Sequence, residues 1–162
     1  MNNLKLIIAL CVLTISGCGY HLKQAVELDP ALTKTHLDLS LTSPLYQPLA
    51  TELSNQGIQL VAADVAEARL VIGNNRIQKE VQSIGVNNRV QEYRLDYHLD
   101  FRLFIGDKLV LTSRPLQLTK DYSFDIGQIT GTQSEEQLLR QQLYSDMAHM
   151  IIRYLANQNL TQ

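Results

Sequence analysis

The sequence predicts an α+β fold with two helices packed on one face of a four- or five-stranded, mainly antiparallel or mixed sheet. Three observations lead there. Within residues 90–105, VQEYRLDYHLDFRLFI, Tyr93 to Leu103 alternate apolar and polar side chains with a strict period of two. That is the pattern of a long strand with one face on a core and one in water. Two further stretches, 44–55 and 134–156, carry apolar residues at helical spacing,. Short apolar runs bounded by Gly and Asn flank the long strand and read as its hairpin partners,.

Residues 35–41, THLDLSL, alternate, with Leu37, Leu39 and Leu41 on one face of a first strand,. Ser43 precedes Pro44, a cap followed by the residue suited to a first helical turn,. Leu45, Leu49 and Leu53 form the core stripe of the helix, and Gly57 lets the chain leave it in a left-handed conformation,. A short strand follows at 58–62. RLVI at 69–72 starts the next, Gly73-Asn74-Asn75 bends or bulges it, and RIQKEVQS continues it,. GVNNR at 85–89 reads as a hairpin tip leading into the long strand. On that strand Tyr93, Leu95, Tyr97, Leu99, Phe101 and Leu103 share one face, and Arg94, Asp96, His98, Asp100 and Arg102 share the other.

Gly106-Asp107 turns the chain into a returning strand over 108–118, where Pro115 marks a bulge or edge position, and 119–124 extends the sheet,. Residues 125–132, DIGQITGT, form a crossing. Ser134 with Gln137 makes a capping box for the final helix,. Leu139, Leu143, Met147, Met150, Ile151 and Tyr154 line its broad apolar face.

Ahead of this domain, Lys5 is followed by a ten-residue, almost wholly apolar run, LIIALCVLTI, and then by Ser16-Gly17-Cys18. The run is about half the ~20 residues a membrane-spanning helix needs. A positive start, a short apolar core and a small-residue exit form a secretory signal. The exit resembles the bacterial lipobox, in which the cysteine becomes the first mature residue and accepts a diacylglyceryl group. Cys18 is therefore the expected lipidation site. Residues 1–17 are the expected signal peptide, 18–35 the anchor and lead, 36–157 the domain, and 158–162 a short polar tail. Gly19 resembles the residue that follows the cysteine in outer-membrane lipoproteins.

Loss of Lys5 with the signal takes the formal charge from −2 to −3, because every Asp and Glu lies beyond residue 18. A weakly acidic balance argues against nucleic acid as the main partner. Cys11 leaves with the apolar run, so the mature chain holds only Cys18 and no disulfide is available,. Phosphate loops, H-E-x-x-H, C-x-x-C and G-x-S-x-G are absent,.

Asp96, His98 and Asp100 share a strand face, an arrangement that suits a divalent metal or acid–base work. Arg94 and Arg102 flank them, and alternating opposite charges also neutralise one another on a solvated or partner-covered face. That second reading is preferred, so no metal, cofactor or catalytic residue is expected. The exposed sheet face and the hairpin are the expected contact surface. Arg89 and Arg94 lie at or just beyond the tip, Lys79 comes near them across the hairpin, and Arg114 joins from a neighbouring strand. Such a cluster pairs with phosphate or carboxylate groups. The alternative is ordinary charge at strand ends.

Cys18-Gly19-Tyr20-His21-Leu22, the Ser43-Pro44-Leu45 helix start and the Glu92-Tyr93 opening of the long strand resemble the LptE family of lipopolysaccharide-assembly lipoproteins. The resemblance covers nearly all of residues 18–156. It implies a non-enzymatic outer-membrane lipoprotein facing the periplasm and a barrel lumen. Such a protein plugs and helps assemble the lipopolysaccharide translocon β-barrel protein LptD in a 1:1 complex, and assists lipopolysaccharide insertion in the outer leaflet. It also implies lipopolysaccharide or barrel contact through basic residues around the hairpin, here Arg89, Arg94, Lys79 and Arg114. The family's lysine near the start of the last helix is replaced here by Gly131 and Thr132, which implies weaker lipid binding. The alternative function is a periplasm-facing lipoprotein that scaffolds an envelope complex without direct lipopolysaccharide contact.

Overall fold

The structure, a computed structural model, describes residues 28–112, 114–124 and 129–158, with the side chains of all but residues 129–132. Residues 1–27, which hold the expected signal, Cys18 and the lead through Leu22, lie outside the described residues. So do 125–128 of the expected crossing and 159–162 of the tail.

A mixed sheet carries two helices on one face. Strands β1 (Lys34–Asp38), β2 (Gln59–Leu60), β3 (Ala68–Ile84), β4 (Val90–Ile105) and β5 (Lys108–Thr112) stand in the order β2-β1-β3-β4-β5. Strand β6 (Leu116–Ser123) pairs with β4 as well. β1 runs parallel to β2 and β3, and all other pairs are antiparallel. Helix α1 spans Tyr46–Asn55 and helix α2 spans Ile129–Ala156. Among the described residues no helix is long and apolar enough to cross a membrane.

The architecture is the expected one, with six strands where four or five were expected. The return strand is cut in two around Pro115, which has no N–H for a ladder. β5 lies against Arg102–Ile105 and β6 against Glu92–Leu99, on the same edge of β4. The two-residue β2 adds the sixth.

The period of two in β4 is realised from Leu95 to Leu103. Leu95, Tyr97, Leu99, Phe101 and Leu103 are buried together with Leu49 and Leu53 of α1 and Leu143, Met147, Ala148, Ile151 and Ile152 of α2. Tyr97 meets Tyr144, and Phe101 meets Tyr154, as edge-to-face ring pairs with centroids 5.4 Å apart. Each such pair contributes about 0.5–1.5 kcal/mol beyond its burial. Odd-numbered residues of β4 therefore face the helices, and even-numbered residues form an open face.

Local details depart from the sequence expectations for identifiable reasons. β1 stops at Asp38 because Leu39 N–H turns back to Leu37 O, 3.1 Å away. Leu41 is consequently 75% exposed and is not part of the buried face. α1 begins at Tyr46, two residues beyond Pro44. Ser43 contributes its backbone carbonyl to Tyr46 N–H, and its hydroxyl accepts from Asn75 Nδ2 at 3.0 Å instead of capping the helix. Gly57 does adopt the left-handed conformation, with φ +81°. α2 starts at Ile129, so Ser134 and Gln137 lie within the helix and do not form its terminal capping box. A turn was missed at Pro30–Leu32, where the Asp29 carboxylate caps Ala31 N–H at 2.9 Å and Leu32 is buried.

The Gly73-Asn74-Asn75 bulge is present and decides what lies beyond it. From Gly73 opposite Asp100 to Arg76 opposite His98, β3 spends one residue more than β4. Because side chains alternate, one extra residue exchanges the two faces of the strand. Ala68, Leu70 and Ile72 face the helices before the bulge, and Ile77, Lys79 and Val81 face them after it. Asn74 takes φ +46°, and its amide donates to the Asp100 carboxylate. A Cβ at Gly73 would collide with that carboxylate. Asn75 turns inward, where Tyr97 OH donates to its Oδ1 at 2.6 Å. Burial pushes the Tyr97 phenol far above its ordinary pKa, so it stays a neutral donor.

Candidate interaction surface of the hairpin

Beyond Val71, β3 has no second strand partner among the described residues. β3 and β4 thus continue as an arm, flanked only by β6 on the β4 side. Gly85 N–H to Arg89 O at 2.8 Å and Asn88 at φ +56° close its tip. Val81, Ile84 and Val86 are exposed there, and Val86 is fully so.

The open face of the arm is polar in the rows from Glu92 to Asp100. Arg94 lies between Glu80 of β3 and Asp121 of β6. Its Nε donates to Asp121 Oδ1 at 2.8 Å and its Nη2 to Oδ2 at 3.1 Å. These bonds hold the Asp121 carboxyl below its usual range and the Arg94 guanidinium above its own. In the next row Asp96 Oδ1 accepts from Thr119 Oγ1 at 2.8 Å and from Gln117 Nε2 at 3.5 Å. Arg76 faces His98 one row further. Among the described residues Arg94–Asp121 is the ion pair of this face, and Asp96 is satisfied by neutral donors. Among the described residues no group of three or more His, Cys, Asp or Glu is placed to hold a metal ion.

The other face of the arm carries a denser cluster. Glu136 of α2 accepts from Lys79 Nζ at 2.7 Å and from Tyr122 OH at 2.6 Å on Oε2. It accepts from Arg140 Nε at 2.9 Å on Oε1. Lys79 Nζ also stands 4.0 Å from the Tyr93 ring centroid, a cation–π contact. Tyr93 stacks on Tyr122 and meets Phe124 edge-on. Burial pushes the Glu136 carboxyl up, but the hydrogen bonds from Lys79, Tyr122 and Arg140 outweigh it and bring it down to about 2. Burial opposes the charge on Lys79 too, and the bonds to Glu136 and Tyr122 still raise its pKa. One carboxylate thereby ties the arm, β6 and α2 together.

The four basic residues singled out from the sequence occupy four different settings. Arg94 is on the open face with Asp121, and Lys79 is on the helix face with Glu136. Arg89 is exposed at the tip, and Arg114 is exposed in the break between β5 and β6, toward the opposite end of the sheet. Glu136, Tyr122 and Arg140 were not anticipated as partners. Counting strand parity through the bulge would have turned Lys79 toward the last helix, where Glu136 stands.

The α+β domain thus combines a polar open face, a projecting hairpin and a clamp partway along it. The chain belongs to the LptE family, described as lipopolysaccharide-assembly, whose model matches residues 24–155. It is 26% identical over 158 residues to the LPS-assembly lipoprotein LptE of Yersinia enterocolitica, covering 94% of this chain and 74% of that one. It is 27% identical over 162 residues to the LPS-assembly lipoprotein LptE of Yersinia pestis, with the same coverage. Among solved structures, lipoprotein B of Nitrosomonas europaea superposes with a TM-score of 0.72 at 22% identity, over 85% of this chain and 90% of that one. The rare lipoprotein B of Shewanella oneidensis gives 0.66 at 20% identity, over 76% and 93%. At these identities the two structures establish the fold.

Proposed function

We propose that this chain is a non-enzymatic lipoprotein of the outer membrane, anchored through Cys18, that plugs and helps assemble the lipopolysaccharide translocon β-barrel. In that role it assists insertion of lipopolysaccharide into the outer leaflet. Family membership supports a part in lipopolysaccharide assembly. The observation that carries the plug reading is the open sheet face, where Arg94–Asp121 and Asp96–Thr119 satisfy their polarity across the strands. Barrel lumens are polar, and a polar face whose Arg94–Asp121 pair is already formed suits contact with such a lumen wall. Arg89 is exposed at the tip, without an ion pair among the described residues, and in this reading is the cation that meets the barrel or the phosphorylated lipid. Arg94, Lys79 and Arg114 contribute from their separate positions.

The test is the double variant Arg89→Ala/Arg94→Ala in the full-length acylated protein. The proposal expects weaker co-purification of the barrel, weaker lipopolysaccharide binding, or both. Unchanged behaviour in both assays rejects the contact assignment.

A further inference from the structure

The open face is not uniform. At the end remote from the hairpin tip, register places His36 of β1, Arg69 of β3, Phe104 of β4 and Leu109 of β5 in one row across the sheet. Arg69 lies over the Phe104 ring, 4.6 Å from its centroid, and Leu109 is 46% exposed. The next row holds Asp38, Val71, Arg102 and Thr112. Phe104, Leu109 and Val71 make this end apolar, in contrast to the polar rows of Glu92 to Asp100. Arg69 and Arg102 are the cations within it, and Asp38 is the anion. Lys34, on the rim, is paired with Glu67 at 3.1 Å.

The route of the chain says which partner this end meets. β1 begins here, since Thr35 stands opposite Ala68 and Asp38 opposite Val71. The described chain starts at Leu28, ten residues after Cys18, a contour of at most about 35 Å. The tip lies a further ~50 Å away along β4, by the rise of an extended strand. With Cys18 acylated, this is the end of the sheet that the lead keeps nearer the lipids,. Aromatic and aliphatic side chains rimmed by arginine suit the headgroup layer of an anionic membrane.

We propose that the end of the open face formed by Arg69, Phe104 and Leu109 rests on the headgroup layer of the bilayer that holds the acylated N-terminus, with Arg69 and Arg102 taking anionic headgroups. The patch then orients the domain, and the hairpin arm is directed away from the anchor. This inference rests on Cys18 being the acylated first residue.

The test uses full-length acylated protein in vesicles of phosphatidylethanolamine with phosphatidylglycerol, and in vesicles of phosphatidylcholine. A nitroxide is placed at Thr112→Cys, beside the patch, or at Val86→Cys on the tip. Relaxation by a nickel chelate tethered to lipid headgroups is expected to be severalfold stronger at 112 than at 86. It is expected to fall on phosphatidylcholine and with Arg69→Glu or Leu109→Asp, both at exposed positions. Equal relaxation at 112 and 86 on both vesicles overturns the proposal and leaves the anchor intact. Immobilisation of the 112 label only on addition of a protein partner assigns the patch to that partner and overturns the lipid reading. A mass showing no diacylglyceryl group on Cys18 rejects the anchor, and the proposal with it.

Discussion

Lys79 Nζ and Glu136 Oε2 stand 2.7 Å apart, joining a strand of the hairpin arm to the last helix across 57 residues of chain. Tyr122 and Arg140 complete the coordination of the same carboxylate. Glu136→Ala leaves three donors at a partly buried site without their acceptor. A loss of about 1–3 kcal/mol is expected, toward the low end because Lys79 and Arg140 retain access to water. Urea unfolding at neutral pH measures it, and an unchanged midpoint contradicts the clamp.

The same carboxylate makes stability depend on pH. Its folded pKa, about 2, lies below the ordinary 4.5, so the folded state holds its proton more weakly than the unfolded one. The contribution is complete above about pH 4.5 and is lost as pH falls toward 2. The urea midpoint of the wild type is expected to fall over that window more steeply than that of Glu136→Gln, which has no such titration. Parallel curves for the two proteins would remove Glu136 as the source.

Asn75 holds the bulge to the core through Tyr97 OH and to the α1 approach through Ser43 Oγ. Asn75→Ala strands a buried phenol and is expected to cost about 1–3 kcal/mol. Tyr97→Phe removes the donor with the need for an acceptor and is expected to cost less. Chemical denaturation of both variants checks the order, and equal or reversed losses would count against the assignment.

Leu37 and Leu41 look equivalent in sequence and are opposite in the fold. Leu37 is buried and Leu41 is exposed. Leu37→Ala is expected to cost about 2–5 kcal/mol, and Leu41→Ala less than about 0.5 kcal/mol. Thermal or urea unfolding of the pair separates a strand that ends at Asp38 from one that continues to Leu41.

These cases show how far the residues speak for themselves. The alternation of β4 was legible from Glu92 to Leu103, because a half-buried strand must alternate and little else produces so long a run of period two,. The bulge was legible from Gly73-Asn74-Asn75, as was the exit of α1 at Gly57. The facing of Lys79 was not legible from residue type alone, since it depends on register across the bulge. Ser43 and Ser134 carry good capping chemistry, yet tertiary demand from Asn75 and an earlier helix start override it. The Glu136 cluster was hidden because its members come from β3, β6 and α2, far apart in sequence and joined only by the fold. The basic residues are dispersed over two faces and two ends of the sheet, and that dispersal follows from topology.

The central claim is that the polar open face sits against the wall of a β-barrel lumen. Photocrosslinkers at His98 and Asp121 on that face, and at Val86 on the tip, in the native envelope test it most directly. The account predicts a crosslinked product with one large barrel protein from all three positions, in 1:1 ratio. Crosslinks only to soluble periplasmic proteins, with none to a barrel, would contradict it and favour a periplasm-facing scaffold.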